Sequence, residues 1–209
     1  MAKRTRPDVL LPIQFLATRV TAPTDQDLRK LMRVLKYLNA TVDLGIKLTS
    51  GAEPQLRAYI DASYGVHGDG KSHSGMTVTL GGGPIYVKST KQKIVTKSST
   101  ESELVALSDG ASVVIWGRDF LLAQGEKLGP AVIYQDNMST MALVDKGASG
   151  SERTKHIKIR YFWVKDRVQS GEIKVEYMPT EEMVADILTK PLQGSKFVTL
   201  RNMLLNWVY

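Results

Sequence analysis

Apolar side chains recur every three or four residues near the start of the chain, which is the period of an amphipathic helix. Between Asp25 and Leu44 the recurring apolar positions are Leu28, Leu31, Val34, Leu35 and Leu38. Thr24 precedes them and is suited to cap a helix, because its hydroxyl can accept a hydrogen bond from a free amide of the first turn. The polar stretch 49–54, TSGAEP, favours a turn. The first fifty residues are therefore predicted to form a helical extension.

Apolar and polar residues alternate directly after this turn, which is typical of half-buried strands. Residues 55–61 place Leu56, Ala58 and Ile60 on one face. Residues 74–80 and 84–89 flank three consecutive glycines, which indicate a hairpin turn. Three consecutive antiparallel strands are the simplest arrangement of these runs.

Helical and strand-like patterns alternate in the rest of the chain. An apolar stripe predicts a long helix from Ser99 to Ala123, and strands are predicted at 131–134 and 172–177. Shorter helices are predicted at 138–144, 152–168, 180–188 and 195–208. This order predicts an α/β fold with a five-stranded mixed sheet, its first three strands antiparallel, flanked by helices. The predicted parts are a helical extension over 1–52, the α/β domain over 53–192 and a C-terminal helix over 193–209.

Composition narrows the class of protein. The chain of 209 residues has no cysteine, which excludes disulfides and thiolate-bound zinc. Its net charge of +7 favours an anionic partner, nucleic acid first. No apolar run approaches the roughly 18 residues of a membrane span, and Pro7, Asp8 and Pro12 interrupt the basic and then apolar start. We expect an intracellular protein, cytoplasmic or nuclear, without a signal peptide or a membrane partner.

Four acidic residues lie where a sheet and its helices could bring them together. Asp61 and Asp136 end predicted strands, whereas Glu103 and Asp186 lie on predicted helices. Converging carboxylates bind hard divalent cations through oxygen ligands. Taken singly, each of these residues is as readily a solvated acid at a strand end or on a helix face.

In this order the four acids resemble the pattern of ribonuclease H. Six segments are similar to the ribonuclease H domain of Ty1/copia-type retrotransposon polyproteins: YIDASYG, KSHSGMTVTLGGGPIYVKSTKQ, SSTESELVAL, QDNMSTMALV, RTKHIKIRYFWVKDRV and ADILTKPL. The helical extension resembles the stretch that joins reverse transcriptase to ribonuclease H in those polyproteins. The resemblance implies a ribonuclease H-like fold and an endonuclease that hydrolyses the RNA strand of RNA·DNA hybrids. It also implies two Mg²⁺ ions, for which Mn²⁺ can substitute, and the polymerase region of reverse transcriptase as a further partner.

The resemblance implies that Asp61, Glu103, Asp136 and Asp186 are catalytic and hold the metal ions. Glu101 and Glu103 lie two residues apart, so only one of them can face the site from a helix. Glu103 directly precedes Leu-Val-Ala-Leu, where similar enzymes have the metal-binding glutamate, and Glu101 is expected to be solvated or to cap the helix. Some ribonucleases H have a catalytic-loop histidine before the last aspartate, but MPTEEMVAD has none. We therefore expect slow turnover.

The candidate contacts with nucleic acid are Lys88, Lys91, Asn137, Arg153, Lys155 and His156. The two lysines flank the approach to Glu103, although a solvated face explains them equally well. Asn137 could bond the RNA strand, but capping of the next helix is the favoured role. The segment RTKH opens a basic helix whose free amides suit a phosphate. We expect His156 to position a phosphate rather than to act as a general base.

Two other functions are compatible with this fold. One is a catalytically weak or inactive connection-type module that only binds nucleic acid, against which the intact set of four acids argues. The other is a nuclease of the same fold that acts on DNA, against which the Ty1/copia-like segments argue. The apolar stripe of the extension also needs cover, which segment 197–208 could supply.

Overall fold

The central sheet has five strands in the order β3-β2-β1-β4-β5. The computed structural model describes residues 1–50, 54–146 and 155–207, without the side chains of 143–146, 155 and 156. The strands are β1 (Leu56–Ser63), β2 (His73–Leu80), β3 (Pro84–Lys91), β4 (Ala131–Gln135) and β5 (Ile173–Tyr177). β1, β2 and β3 are antiparallel neighbours, whereas β4 is parallel to both β1 and β5. The predicted mixed sheet with three antiparallel first strands is confirmed.

Helices surround this sheet in the described residues. They are α1 (Leu10–Ala17), α2 (Asp25–Ala40), α3 (Ser99–Ala123), α4 (Met138–Lys146), α5 (Lys155–Gln169) and α6 (Gly194–Leu205). The predicted bounds of α3 are confirmed, whereas α2 ends four residues before the predicted Leu44. Residues 152–154 and 208 of two other predicted helices lie outside the described part of the chain. None of the helices in that part has the length and apolar character needed to span a membrane.

The helix predicted over 180–188 is wrong. Only Val184–Leu188 is helical, and this segment is a 3₁₀ turn. The carbonyl of Leu188 accepts a hydrogen bond from Ser89 Oγ at 2.7 Å, and that of Thr189 accepts one from Ser63 Oγ at 3.0 Å. Because side chains of the sheet engage these carbonyls, the segment is fixed against β1 and β3 as a short turn. We call it the 3₁₀ segment.

Both faces of the sheet are covered. One core lies between the sheet, α3 and α5, and includes Ile60, Leu107 and Val164. The other core brings α1, the 3₁₀ segment and α6 against the opposite face, and includes Leu10, Leu188 and Leu204. β1 is therefore buried on both sides, which holds the residue positions at its end rigidly.

The helical extension is tied down by polar contacts. The predicted cap is confirmed, since Thr24 Oγ accepts from the Asp27 amide and the Asp27 carboxylate accepts from the Thr24 amide. Asp8 is buried and accepts hydrogen bonds from Arg6 at 2.9 Å and from the Tyr37 hydroxyl at 2.6 Å. The apolar stripe predicted for α2 is only partly covered. Val34 is buried, whereas Leu28, Leu31 and Leu35 are exposed. The prediction that segment 197–208 covers the stripe is wrong for those exposed positions.

Two buried histidines connect α1 to the 3₁₀ segment. The Phe15 ring stacks on His67 at 4.6 Å and on His73 at 5.1 Å between ring centroids. His67 Nε2 lies 3.0 Å from His73 Nδ1, and His73 Nε2 lies 2.7 Å from Ser89 Oγ. Since the single hydroxyl proton of Ser89 goes to the Leu188 carbonyl, His73 must donate through Nε2 and accept through Nδ1. Burial lowers the pKa of His73 to about 4, so it is neutral at neutral pH.

Candidate metal centre

Three carboxylates converge at one edge of the sheet. Asp61 lies near the end of β1, Asp136 directly follows the parallel strand β4, and Glu103 lies near the start of α3. One carboxylate oxygen from each lies within 4.8 Å of the others. Asp61 and Glu103 are buried, with exposed fractions of 1% and 5%. We call these three residues the acidic group.

The start of α3 explains why Glu103 and not Glu101 joins this group. Ser98 caps the helix by accepting from the Glu101 amide at 3.2 Å, and the Glu101 carboxylate accepts from the Lys97 amide at 2.8 Å. Glu101 therefore takes part in capping the helix, which is one of the two roles predicted for it. Glu103, two residues later, faces inwards.

The acidic group is electrostatically costly without a cation. Burial raises the pKa of Glu103 well above its ordinary value, and the neighbouring Asp61 and Asp136 raise it further. Burial also raises the pKa of Asp61, although Lys190 and Thr189 oppose that effect. A cluster of oxygen donors whose charges repel one another is the donor set that hard divalent cations take.

Neighbouring side chains orient the three carboxylates. The Gln135 amide donates to Glu103 Oε2 at 3.3 Å. The Thr180 hydroxyl donates to Asp136 Oδ2 at 3.1 Å, and the Thr189 hydroxyl donates to Asp61 Oδ2. Such outer contacts fix the direction of metal ligands. Sequence reasoning missed all three, since a lone threonine or glutamine carries no pattern of its own.

The fourth predicted acid lies beside the group but is engaged by lysines. Asp186 is fully buried in the 3₁₀ segment, and its carboxylate oxygens lie 2.6 Å from Lys190 Nζ and 3.2 Å from Lys196 Nζ. Lys190 Nζ also lies 3.3 Å from Asp61 Oδ1, so its ammonium group bridges Asp61 and Asp186. Metal ligation by all four acids remains a prediction. The sequence did contain an indication of the lysine contact, because Asp186 and Lys190 are four residues apart.

The candidate nucleic-acid contacts have varied surroundings. Lys88 is half-buried on β3, and Lys91 Nζ lies 2.8 Å from a carboxylate oxygen of Asp69. Asn137 Oδ1 accepts from the Thr140 amide at 3.0 Å and so caps α4. Arg153 lies outside the described residues, as do the side chains of Lys155 and His156 at the start of α5. A nucleic-acid contact by any of the six remains a prediction.

Replacing Glu103 with glutamine should stabilise the metal-free protein, increasingly so as the pH rises. The folded-state pKa of Glu103 lies well above the ordinary 4.5, so the native state binds more protons than the unfolded state between these two pKa values. Stability therefore falls as the pH rises above about 4.5, and Glu103→Gln removes this loss. Thermal unfolding followed by circular dichroism in EDTA, from about pH 5 to about pH 8, measures it.

Glu101→Gln is the matched control for this prediction, because it changes the half-buried glutamate at the cap of the same helix, outside the acidic group. Its unfolding temperature should keep the pH slope of the wild type. A Glu103→Gln slope equal to that of the wild type would contradict the burial argument.

Comparison with solved structures supports the fold class that this sheet defines. The foamy viral protease–reverse transcriptase in complex with double-stranded DNA matches with a TM-score of 0.53 and 16% identity, over 81% of this chain and 33% of that chain. A second complex of that protein matches with a TM-score of 0.52 and 17% identity, over 84% of this chain and 29% of that chain. The ribonuclease H1 LC11 isolated from compost matches with a TM-score of 0.48 and 16% identity, over 65% of this chain and 93% of that chain. The two foamy viral matches thus support the predicted α/β fold with its five-stranded mixed sheet and flanking helices.

Sequence comparison then gives the relatives. No protein-family model matches the chain. The Pol polyprotein of transposon RE1 from Arabidopsis thaliana is 38% identical over 92% of the chain, and that of transposon TNT 1-94 from Nicotiana tabacum is 32% identical over 92%. A truncated transposon Ty1-A Gag-Pol polyprotein from Saccharomyces cerevisiae is 29% identical over 97%. The chain is thus homologous to a segment of Ty1/copia-type, retrovirus-related Pol polyproteins, and spans between 13% and 17% of the length of these three.

Proposed function

We propose that the chain is a divalent-metal-dependent endonuclease that hydrolyses the RNA strand of RNA·DNA hybrids. The observation that carries the proposal is the acidic group, in which oxygens of Asp61, Glu103 and Asp136 lie within 4.8 Å of one another. The ribonuclease H-like fold and the Pol polyprotein relatives support the same reaction class. The net charge of +7 suits a polyanionic substrate.

The residues present fit Mg²⁺ or Mn²⁺, because every donor in the acidic group is a carboxylate oxygen. Asp61, Glu103 and Asp136 would hold the metal, with Asp186 as the further ligand in a two-ion site. Bound ions supply activation of a water molecule for attack on the phosphodiester and stabilisation of the leaving 3′ oxygen. Hydrogen bonds fix the orientation of these three carboxylates, and their donors are Thr189, Gln135 and Thr180, respectively.

The segment before Asp186 supports the proposed slow turnover. The Thr180 hydroxyl of this segment donates to Asp136, and no histidine lies in the sequence MPTEEMVAD that leads to Asp186. A hydroxyl at this place can orient the carboxylate but is a poor acid or base near neutral pH. The proposed partner beyond the hybrid is the polymerase region of the polyproteins to which the chain is homologous.

A cleavage assay on the full chain tests the function. With Mg²⁺ present, the wild type should shorten the labelled RNA strand of an RNA·DNA hybrid and leave its DNA strand, duplex DNA and duplex RNA intact. Asp136→Asn, which removes one charge from the acidic group, and excess EDTA should each abolish cleavage.

Three results separate the rival functions in this assay. Cleavage of duplex DNA would favour a DNA-acting nuclease of the same fold. Tight hybrid binding without cleavage would favour a nucleic-acid-binding module. Equal cleavage by wild type and Asp136→Asn would contradict the assignment of the acidic group.

A further inference from the structure

Lys190 has an unusual place among the charged groups of the site. Its ammonium group lies 3.3 Å from Asp61 Oδ1 and 2.6 Å from Asp186 Oδ1, and so fills the gap between two buried carboxylates. Burial disfavours the charged form, yet the pKa of Lys190 is raised because Asp61 and Asp186 stabilise the ammonium. Lys190 is thus a cation of the site itself and not a solvated surface lysine.

The backbone of Lys190 is held in place relative to the carboxylates. The amide of Lys190 donates to the Asp186 carbonyl at 2.8 Å, and the amide of Leu192 donates to the Lys190 carbonyl at 2.8 Å. Pro191 lies between them and restricts the chain further. The adjacent Thr189 is joined to Asp61 through its hydroxyl. The position of Lys190 is therefore set by the same segment that carries Asp186.

One divalent ion is enough to neutralise the net charge of the site. The acidic group and Asp186 provide four carboxylates, and Lys190 and Lys196 provide two ammonium groups that contact them. Metal ligation requires deprotonated carboxylates, and in that state two negative charges remain, which one divalent cation neutralises. Lys190 contacts Asp61 and Asp186, and Lys196 contacts Asp186. The remaining negative charge therefore lies near Glu103 and Asp136, which neither lysine contacts in these ion pairs.

We propose that Lys190 is a positioning residue that takes the place of a second metal ion, so that the chain without substrate binds one divalent ion at Asp61, Glu103 and Asp136. This inference rests on the proposed function of the acidic group. The Lys190 side chain is 34% exposed, so it has a route to solvent by which it can leave the gap. Entry of a second ion then requires its displacement, which couples full metal loading to the arrival of a substrate that draws the ammonium towards a phosphate.

Counting bound Mn²⁺ tests the proposal without reference to activity. The full chain is titrated with Mn²⁺ in the absence of nucleic acid, and free Mn²⁺ is measured by electron paramagnetic resonance. The wild type should bind one ion per chain. Lys190→Met, which keeps the length of the side chain and removes its charge, should bind a second ion. Lys190→Arg, which keeps the charge, should again bind one.

Lys196→Met is the matched control, because it removes the same charge but Lys196 contacts Asp186 and not Asp61. It should keep the count at one, since Lys190 still fills the gap. Lys190→Gln serves as a second neutral variant should Lys190→Met fail to fold, which circular dichroism shows.

The outcomes of the titration are distinct. One ion in both neutral Lys190 variants, two in the wild type, or equal gains in the Lys190→Met and Lys196→Met variants would overturn the role of Lys190 while leaving the nuclease intact. No Mn²⁺ bound by the wild type would overturn the proposed metal centre itself and this inference with it.

Discussion

Replacing Asp61 with asparagine should lower the rate of hybrid cleavage by about a thousandfold or more while leaving the fold intact. Asp61 is common to the acidic group and to the Lys190 bridge, so its charge acts on every proposed metal position. Stabilisation of transition-state charge by a metal is worth several kcal/mol, and each ~1.4 kcal/mol is a factor of about ten in rate. Initial rates of RNA-strand cleavage at saturating Mg²⁺ measure the effect.

Stability provides the second readout for Asp61→Asn. Burial raises the pKa of Asp61 more strongly than Lys190 and Thr189 lower it, so the charged form is disfavoured in the metal-free fold. The unfolding temperature in EDTA should therefore not fall. Asp119→Asn, an exposed position sixteen residues after Glu103 on α3, should change neither quantity. Retained cleavage by Asp61→Asn, or loss caused by unfolding, would contradict the assignment.

Replacing Gly75 with alanine should damage both stability and cleavage. Gly75 lies on β2 opposite Asp61, and an added Cβ would lie 2.8 Å from Leu188 Cβ and 3.0 Å from the Ala185 carbonyl oxygen. Neither atom can move by side-chain rotation, so the 3₁₀ segment must shift. Overpacking of this kind costs about 1–3 kcal/mol, which corresponds to roughly 2–4 °C of unfolding temperature per kcal/mol for a chain of this size.

The shift should also disturb the site, because the 3₁₀ segment carries Asp186 and leads into Thr189 and Lys190. We therefore measure cleavage at a temperature below the unfolding transition of the variant. The cleavage rate should fall by more than the loss of folded protein explains. Gly68→Ala is the control, since nothing lies within 4 Å of the added Cβ. Unchanged stability and cleavage in Gly75→Ala would show that the segment is not held as tightly as its contacts imply.

Local patterns were sufficient for the elements that frame the site. The long apolar stripe predicts α3 because helix period is a local property, and the same applies to the alternation in β1. Helix geometry also requires that only one of Glu101 and Glu103 faces the site, whereas the choice of Glu103 rests on the resemblance of the segment around it. These features depend on neighbours in the chain.

The remaining parts of the site depend on distant contacts. The 3₁₀ segment resembles a helix in sequence, but hydrogen bonds from Ser63 and Ser89 to its end decide its form. The bridge from Lys190 to Asp61 spans 129 residues, and the histidine stack depends on Phe15 from the helical extension. Periodicity and spacing contain no information on such pairs, because each residue is unremarkable alone. The predicted division at residues 52 and 193 likewise remains a prediction.

The position of β4 has a consequence for when the site comes into being during synthesis. Asp61 and Asp136 become neighbours only when β4 is added in parallel to β1, after the intervening β2, β3 and α3 have been made. Parallel pairing across so long a loop is slow compared with hairpin formation. A nascent chain can thus complete the β1–β2–β3 hairpins while its acids remain apart and unable to share a cation. Hydrolytic capacity would arise late, as a property of the finished sheet.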